Sequence, residues 1–329
     1  MRVFVYEFTC AAGTTHAFVD SLLAEGRAML SAVTDDLVRV PGVEVVSFPI
    51  GRGEEKQKFR ELARKADFTL VIAPELEDIL AERCQWVEDT GGRLLGPSLP
   101  AVRLTADKYG LGQVLQQQQI PTPETWLLGA DKIDSFVRFP AVLKPRSGAG
   151  SLATYLVESP GDLGRFTVAA REEGCSGDLI VQPFIPGLAV SVGFLIGPKQ
   201  RLALPPANQN LSADGRFHYQ GGRVPLADDL ATRACRLAAR AIDQVPGLLG
   251  FVGVDLMLGN DSDGSQDQVI EINPRLTTSY IGLRALAKSN LAEAMLNIAI
   301  GKDVAPLRWR SGRVQFYPDG RVTKFGFPV

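Results

Sequence analysis

From its first residue the chain alternates short apolar runs with longer stretches whose apolar residues recur every three or four positions, which are the signatures of strands and amphipathic helices. Residues 2–8 read as a first strand, closed by the small-residue loop Ala11-Ala12-Gly13-Thr14-Thr15. A helix over about 16–37 would bury Phe18, Leu22, Met29 and Val33 at helical spacing. A strand over 43–48, a charged helix over 54–66, a strand over 68–73 and a helix over 75–89 follow. This alternation predicts a small parallel sheet covered by helices over residues 1–97. The loop after the first strand is where open α/β sheets bind ligands. Gly51-Arg52-Gly53 reads as a turn, because no G-x-G-x-x-G follows.

Gly96-Pro97-Ser98 breaks the pattern, after which Thr105 is expected to cap a helix running through Asp107-Lys108-Tyr109 to Gln119. Ile120-Pro121-Thr122-Pro123 stops it, and strands follow over 125–128, 140–145 and 154–157. A helix over 160–173 and a strand from Asp178 towards Gly187 complete a middle lobe, 98–181, and open the next, 182–329. There the runs 190–196, 202–204 and 216–224 predict an antiparallel layer, with Asn208-Gln209-Asn210 as a polar insertion. A helix over 227–244, two strands over 251–258 and 269–273, helices over 281–287 and 291–300, and a hairpin through Asp319-Gly320 end the chain.

At 329 residues the chain exceeds the usual size of one core, which agrees with two or three lobes. A hydrophobic content of 45%, a charged content of 22% and 33 glycines describe a turn-rich globular protein. The net charge of −2 gives no electrostatic case for nucleic acid or an anionic membrane, and leaves a small anionic substrate open. No run approaches the ~20 apolar residues of a membrane span. Cys10, Cys84, Cys175 and Cys235 are scattered without metal-ligand spacing, so they are expected to be reduced thiols in a cytoplasmic protein. Met1 to Cys10 is too short for a signal sequence, and Glu7 interrupts it. The only histidines, His16 and His218, are far apart and no G-x-S-x-G occurs, which argues against a histidine-based hydrolase.

The candidate chemistry lies in charges that interrupt apolar strands. In Val269-Ile270-Glu271-Ile272-Asn273-Pro274-Arg275-Leu276, alternation directs Glu271, Asn273 and Arg275 into one cleft while Ile270 and Ile272 face a core. Two oxygen donors suit Mg2+ and the guanidinium suits a phosphate oxygen. A solvated edge strand with an ion pair would carry the same residues. Asp255 tips the balance: it stands alone in the apolar strand 251–258, where an unpaired charge is costly, and the linker Gly259 to Gly264 would lay it beside Glu271. Lys144 ends an apolar strand before Ser147-Gly148-Ala149-Gly150-Ser151, a loop whose backbone N–H groups could wrap phosphate; a glycine-rich hairpin with a snorkelling lysine is the alternative. Lys108 opens a helix, where a cation gains nothing from the dipole, so taken alone it reads as a surface residue. Gln182-Pro183-Phe184-Ile185-Pro186-Gly187 runs from strand to hinge, with free carbonyls for an adenine edge or simply a linker between lobes.

In order and spacing, Asp107-Lys108, Lys144 with its loop, Gln182 to Gly187, Asp255 and Glu271-Ile272-Asn273-Pro274-Arg275 resemble the ATP-grasp superfamily over about residues 98–300. The resemblance implies an α/β chain with α+β lobes: an ATP-grasp fold behind a small N-terminal parallel-sheet, or pre-ATP-grasp, domain. It implies ATP between two lobes, with Lys108 and Lys144 on its phosphates, Ser147, Gly148, Ala149, Gly150 and Ser151 closing over them, and Gln182, Pro183, Phe184 and Ile185 at adenine. Asp255, Glu271 and Asn273 would hold Mg2+, with Mn2+ as the alternative ion. Arg275 would stabilise an acyl phosphate that an amine then attacks, a phosphoryl transfer run by positioning and charge. Many members carry acidic residues where this chain has Gln182 and Ala189, so its ribose contact is not identified. Within the superfamily, Glu7 with Gly13, the segment Glu25 to Leu30 and Asn208-Gln209-Asn210 look most like the tyramine–glutamate ligases of methanofuran-type cofactor synthesis. That branch implies a small carboxylate and a small amine as partners, glutamate with tyramine or tyrosine, with a homodimer left open. D-Alanine–D-alanine ligases, carbamoyl-phosphate-synthase-like proteins and a regulatory protein that binds ATP without turnover are the rival readings.

Overall fold

The apolar runs become three β-sheets in the computed structural model, which describes residues 1–12, 19–48, 55–129 and 137–327. The first sheet holds β1 (Arg2–Glu7) at its centre, with β2 (Glu44–Ser47) and β3 (Phe68–Ile72) parallel to it on either side. Around it lie α1 (Phe8–Ala12), α2 (Val19–Val38), α3 (Glu55–Lys65) and α4 (Ile79–Asp89). Two expected boundaries move. The first strand stops at Glu7, because the chain turns into α1 at Phe8. Helix α4 begins four residues later than expected, because Glu77 and Asp78 sit at φ 47° and 58°, the left-handed region that no α-helix contains. Glu75 is thereby left in a loop at the end of β3. Among the segments read from the sequence, Gly13 to Phe18, with His16, and Gly51-Arg52-Gly53 lie outside the described residues.

Helices α5 (Leu99–Ala106) and α6 (Lys108–Gln117) meet at a break that Thr105 does not cap. The Asp107 carboxylate accepts the Tyr109 and Gly110 N–H groups at 3.1 and 3.0 Å and is the cap, whereas the Thr105 hydroxyl donates back to Ala101 O within α5. The middle sheet has the order β4 (Trp126–Leu127), β7 (Leu179–Pro183), β5 (Ala141–Pro145), β6 (Tyr155–Val157), all antiparallel, and α7 (Leu163–Glu172) lies in the chain between β6 and β7.

The large sheet runs β13 (Gln268–Asn273), β12 (Gly250–Leu258), β8 (Leu188–Ile196), β10 (Ala207–Leu211), β11 (Tyr219–Val224), β14 (Arg313–Phe316), β15 (Val322–Phe325), with β9 (Arg201–Ala203) paired to β8. The polar stretch Asn208-Gln209-Asn210 is therefore not an insertion but a strand hydrogen-bonded between β8 and β11. Its polarity concealed it, since Asn208 and Gln209 face a cleft rather than a core.

Packing explains where that cleft opens. One apolar core joins Val3, Val5 and Leu70 of the first sheet, through Met29 and Val33 of α2, to Phe251 of the large sheet and to Leu283 and Met295 of α9 (Ser279–Leu286) and α10 (Leu291–Ala299). A second core packs Leu111 and Leu115 of α6 and Leu237 of α8 (Asp228–Ile242) against Val192, Val254 and Ile272. The middle sheet has a core of its own, centred on Leu143, Tyr155 and Val181. The first and third sheets are thus fused by shared burial while the middle sheet is not. Buried Asp36 adds a polar tie: its carboxylate accepts from the Tyr280 hydroxyl at 2.8 Å and from Arg284 Nε at 3.0 Å.

Candidate active site

The cleft bounded by the three sheets encloses about 740 Å³. Its floor is the pair β12–β13, whose register sets Asp255 opposite Glu271 and Gly253 opposite Asn273, as the linker between the two strands led us to expect for the carboxylates. On the other side of β12, Ser191 of β8 is the partner of Asp255. The ladder slips by one residue between Asp255 and Leu256, so Leu256 pairs with Val269 and Ile270 has no partner. Such a bulge re-aims side chains. Ile272 remains in the core as expected, but Ile270 joins Glu271 on the cleft wall.

Asp255 and Glu271 differ sharply in electrostatics. Burial, then the neighbouring Glu271, push the Asp255 carboxyl above the usual carboxylate range. Glu271 is partly buried, which raises its carboxyl, but Lys108 and Lys144 outweigh that penalty and hold it below that range. Asp255 Oδ2 accepts from the Asn273 amide at 3.0 Å, whereas Oδ1 is buried without a hydrogen-bond partner. An orphaned carboxylate oxygen beside a second carboxylate and an amide is a donor set that fits a hard divalent cation. Among the described residues no group of three or more His, Cys, Asp or Glu could hold a metal ion, so the fit rests on this mixed set.

Two lysines face the floor. Lys144, 8% exposed on β5, has its pKa lowered to about 8 by burial and by Lys108, against the pull of Glu271 and Asp255. Lys108 Nζ lies 3.0 Å from Glu271 Oε2 and donates to Gly148 O at 2.9 Å, tying the small-residue loop to the floor. Gly148, Ala149, Gly150 and Ser151 line the cleft; Ser147 does not. Gly150 turns at φ 68°, and a Cβ there would lie 3.1 Å from Leu22 Cδ2, so the loop passes close to α2. Ser151 Oγ donates to Phe217 O at 2.7 Å, and the Phe217 ring stacks on Phe184 of the hinge with centroids 6.0 Å apart.

Gln182, Pro183, Phe184 and Ile185 also line the wall. Gln182 Nε2 donates to Thr125 Oγ1 at 2.8 Å, so its carbonyl oxygen is the end left for an incoming donor. The Phe184 N–H already donates to Pro140 O at 2.9 Å and cannot serve an adenine edge.

At the end of the cleft formed by the first sheet, Arg275 meets carboxylates that have no role in the sequence reading. Arg275 is gripped there by Glu75, whose Oε2 accepts Nε at 3.1 Å and Nη2 at 2.9 Å. Burial opposes the Arg275 charge, but Glu75, Glu25 and Glu271 more than restore it and raise its pKa. Glu75 reads in sequence as the start of a helix; the available signal was its place at the carboxyl end of a parallel strand, where such sheets place functional groups. Glu7 is 4% exposed, accepts from Thr9 Oγ1 and Cys10 N at 2.8 Å each, and faces Gly26, where a Cβ would lie 2.4 Å from Glu7 Oε1. Glu25 accepts a hydrogen bond from Thr278 Oγ1, and burial raises its carboxyl. Burial, then Glu25 and Asp255, keep the Tyr219 phenol neutral beside them. His218, by contrast, is exposed in the turn between β10 and β11.

Comparison with known proteins decides the family. The ATP-grasp domain family matches residues 105–279 and the pre ATP-grasp 3 domain family matches 29–102. The chain belongs to the ATP-grasp family. It is 26% identical over 272 residues to the tyramine–L-glutamate ligase of Methanocaldococcus jannaschii, covering 82% of this chain and 75% of that one. The crystal structure of an ATP-grasp superfamily protein from Archaeoglobus fulgidus superposes with a TM-score of 0.71 at 25% identity, covering 96% of this chain and 92% of that chain. N5-carboxyaminoimidazole synthetase of Staphylococcus aureus, complexed with ADP, shares the fold at a TM-score of 0.72 and 14% identity, covering 96% and 82%. The protein is an ATP-grasp ligase that couples a carboxylate to an amine at the expense of ATP. Among the described residues, no helix is long and apolar enough to cross a membrane.

Proposed function

We propose that this ATP-grasp ligase activates the γ-carboxylate of glutamate and joins it to the amine of tyramine or tyrosine, a step of methanofuran- or methylofuran-type cofactor synthesis. A carboxylate oxygen attacks the γ-phosphorus and the bond to the β-phosphate oxygen breaks, giving an acyl phosphate and ADP. The amine nitrogen then attacks the acyl carbon, loses a proton, and expels phosphate. In this reading Lys144 and Lys108 neutralise phosphate charge, Gly148 to Ser151 cover it with backbone N–H groups, and the Gln182 carbonyl accepts from the adenine amino group. Ser147 does not line the cleft and takes no part. Asp255, Glu271 and Asn273 would hold Mg2+, which would supply neutralisation of phosphate charge. Arg275 meets the transferring group.

The observation that carries the substrate reading is the grouping of Glu7, Glu25 and Arg275 at one end of the cleft: two carboxylates suit ammonium groups, and the guanidinium suits the acid being activated. The similarity to tyramine–L-glutamate ligase supports it. The test is ADP release from glutamate with tyramine or tyrosine, together with trapping of a glutamyl hydroxamate by hydroxylamine when no amine is present. ADP release with two D-alanines but not with this pair would replace the substrates and leave the ligase chemistry standing.

A further inference from the structure

Among the described residues, a polar contact at the edge of the cleft that the chemistry above does not use joins Glu75 to Arg275. The two residues are 200 positions apart. Glu75 follows β3 in the first sheet, is 5% exposed, and does not line the cleft; Arg275 follows β13 and does. We infer that Glu75 is a positioning residue for catalysis, aiming the Arg275 guanidinium at the transferring phosphoryl group. The inference rests on the role given to Arg275 under the proposed function.

The donors of Arg275 divide between Glu75 and the cleft. A guanidinium carries five N–H groups in a rigid planar fork. Nε and one hydrogen of Nη2 go to Glu75 Oε2, and one hydrogen of Nη1 goes to Leu276 O at 3.3 Å. One hydrogen remains on each terminal nitrogen. Such a pair is the arrangement that grips two oxygens of a phosphate, which a lysine cannot reproduce. Glu75 therefore occupies the side of the guanidinium and leaves its end for the substrate.

The partner also has to be charged. Arg275 feels two further carboxylates, Glu25 and Glu271, and without Glu75 the guanidinium would be drawn towards one of them. Either move takes it off the line of the reaction, and a displacement of about 1 Å costs about 100-fold in rate. The geometry bears a mark of this service: Glu75 Oε1 is buried with no hydrogen-bond partner, so the carboxylate is spent on Arg275 through one oxygen while the other stays unsatisfied. A residue kept only for stability would gain by satisfying both. Because Glu75 belongs to the first sheet, the pre-ATP-grasp domain completes the reactive end of the cleft as well as covering it.

The experiment compares Glu75→Gln, Glu75→Ala, Arg275→Ala and the double variant Glu75→Gln/Arg275→Ala in the full chain. Calorimetry measures affinity for MgADP alone and for MgADP with fluoroaluminate, a mimic of the transferring phosphoryl group that requires no knowledge of the acid or amine. Glu75→Gln should leave MgADP binding within about 3-fold and weaken the fluoroaluminate complex by at least about 10-fold, with kcat falling and the KM for ATP unchanged. In the Arg275→Ala background, Glu75→Gln should cost nothing more, because its effect passes through the guanidinium. Gln keeps the shape and hydrogen-bonding capacity of the side chain, so if Glu75→Ala fails to fold, Glu75→Gln still decides. A Glu75→Gln variant that binds the fluoroaluminate complex as the parent does, or losses that add fully to those of Arg275→Ala, would overturn the inference. If Arg275→Ala itself leaves the fluoroaluminate complex intact, the role given to Arg275 is what fails, and the positioning role falls with it.

Discussion

The two ends of the cleft handle positive charge in opposite ways. On the middle-lobe side Lys144 is buried, and no carboxylate among the described residues lies within ion-pair distance of it; its pKa is pulled down to about 8. On the first-sheet side Arg275 is largely enclosed but held by Glu75, with Glu25 and Glu271 nearby, and its pKa goes up. A cation without a partner gains most from an arriving anion, so the lysine wall suits binding of a nucleotide. A cation already fixed by a carboxylate gains less on binding but needs no reorganisation when charge develops, which suits a transition state. Lys108 stands between the two, paired with Glu271 yet also tied to the loop carbonyl of Gly148.

The contrast breaks most visibly at the floor the two ends share. Asp255→Asn should lower turnover by at least about 100-fold and abolish the dependence of ATP binding on Mg2+, measured by ADP release and calorimetry. Because Asp255 repels Glu271 in the ligand-free chain, the same change should not lower the melting temperature without metal. A fall in both turnover and melting temperature would recast Asp255 as a structural residue.

Lys144→Ala tests the binding end. Loss of a charge-assisted contact should weaken ATP by about 10- to 100-fold while leaving adenosine nearly unchanged. Equal losses for both ligands would mean that the hinge, not the phosphate site, had been damaged.

Arg275→Lys tests the other end, and should lower kcat by about 10-fold or more with a smaller change in the KM for ATP, because lysine keeps the charge and loses the fork. If the KM rises and kcat holds, both ends serve binding and the contrast disappears.

The smallest effect is a pH dependence. Burial lowers Lys144 to about 8 in the folded chain, so the residue is protonated at pH 7 and loses its charge as the pH rises through that value. ATP affinity should therefore fall by about tenfold between pH 7 and 9.5, and Lys144→Met should remove the fall. Stability runs the other way: the unfolded chain holds this proton up to its higher pKa, near 10.5, so the folded state gains stability between about pH 8 and 10.5.

Particular residues show how far the sequence could be read. Lys144, Asp255 and Glu271 were legible because each interrupts an apolar strand, where an isolated charge is too costly to keep without a ligand or partner. Their register was legible too, since only a short linker joins β12 to β13. Asn208 and Gln209 were misread because a strand facing a polar cleft lacks the alternation that marks a strand facing water. Ile270 was misread because a bulge breaks the period of two and carries no composition signal. Thr105 was misread because Asp107, two residues on, outcompetes it as a cap.

The sequence by itself determined most of the succession of elements and the ATP-grasp family, and it singled out Lys144, Asp255 and Glu271, because local periodicity and the cost of buried charge act within a few neighbours. Only the tertiary structure decided how the first sheet completes the site. Glu7 and Glu25 enter the sequence reading without a role in the site, Glu75 enters it only as the start of a helix, and the contact of Glu75 with Arg275 spans 200 residues. It forms because Val3, Val5 and Leu70 share one apolar core with α9 and α10, and that burial, not any short motif, sets the carboxylates around Arg275.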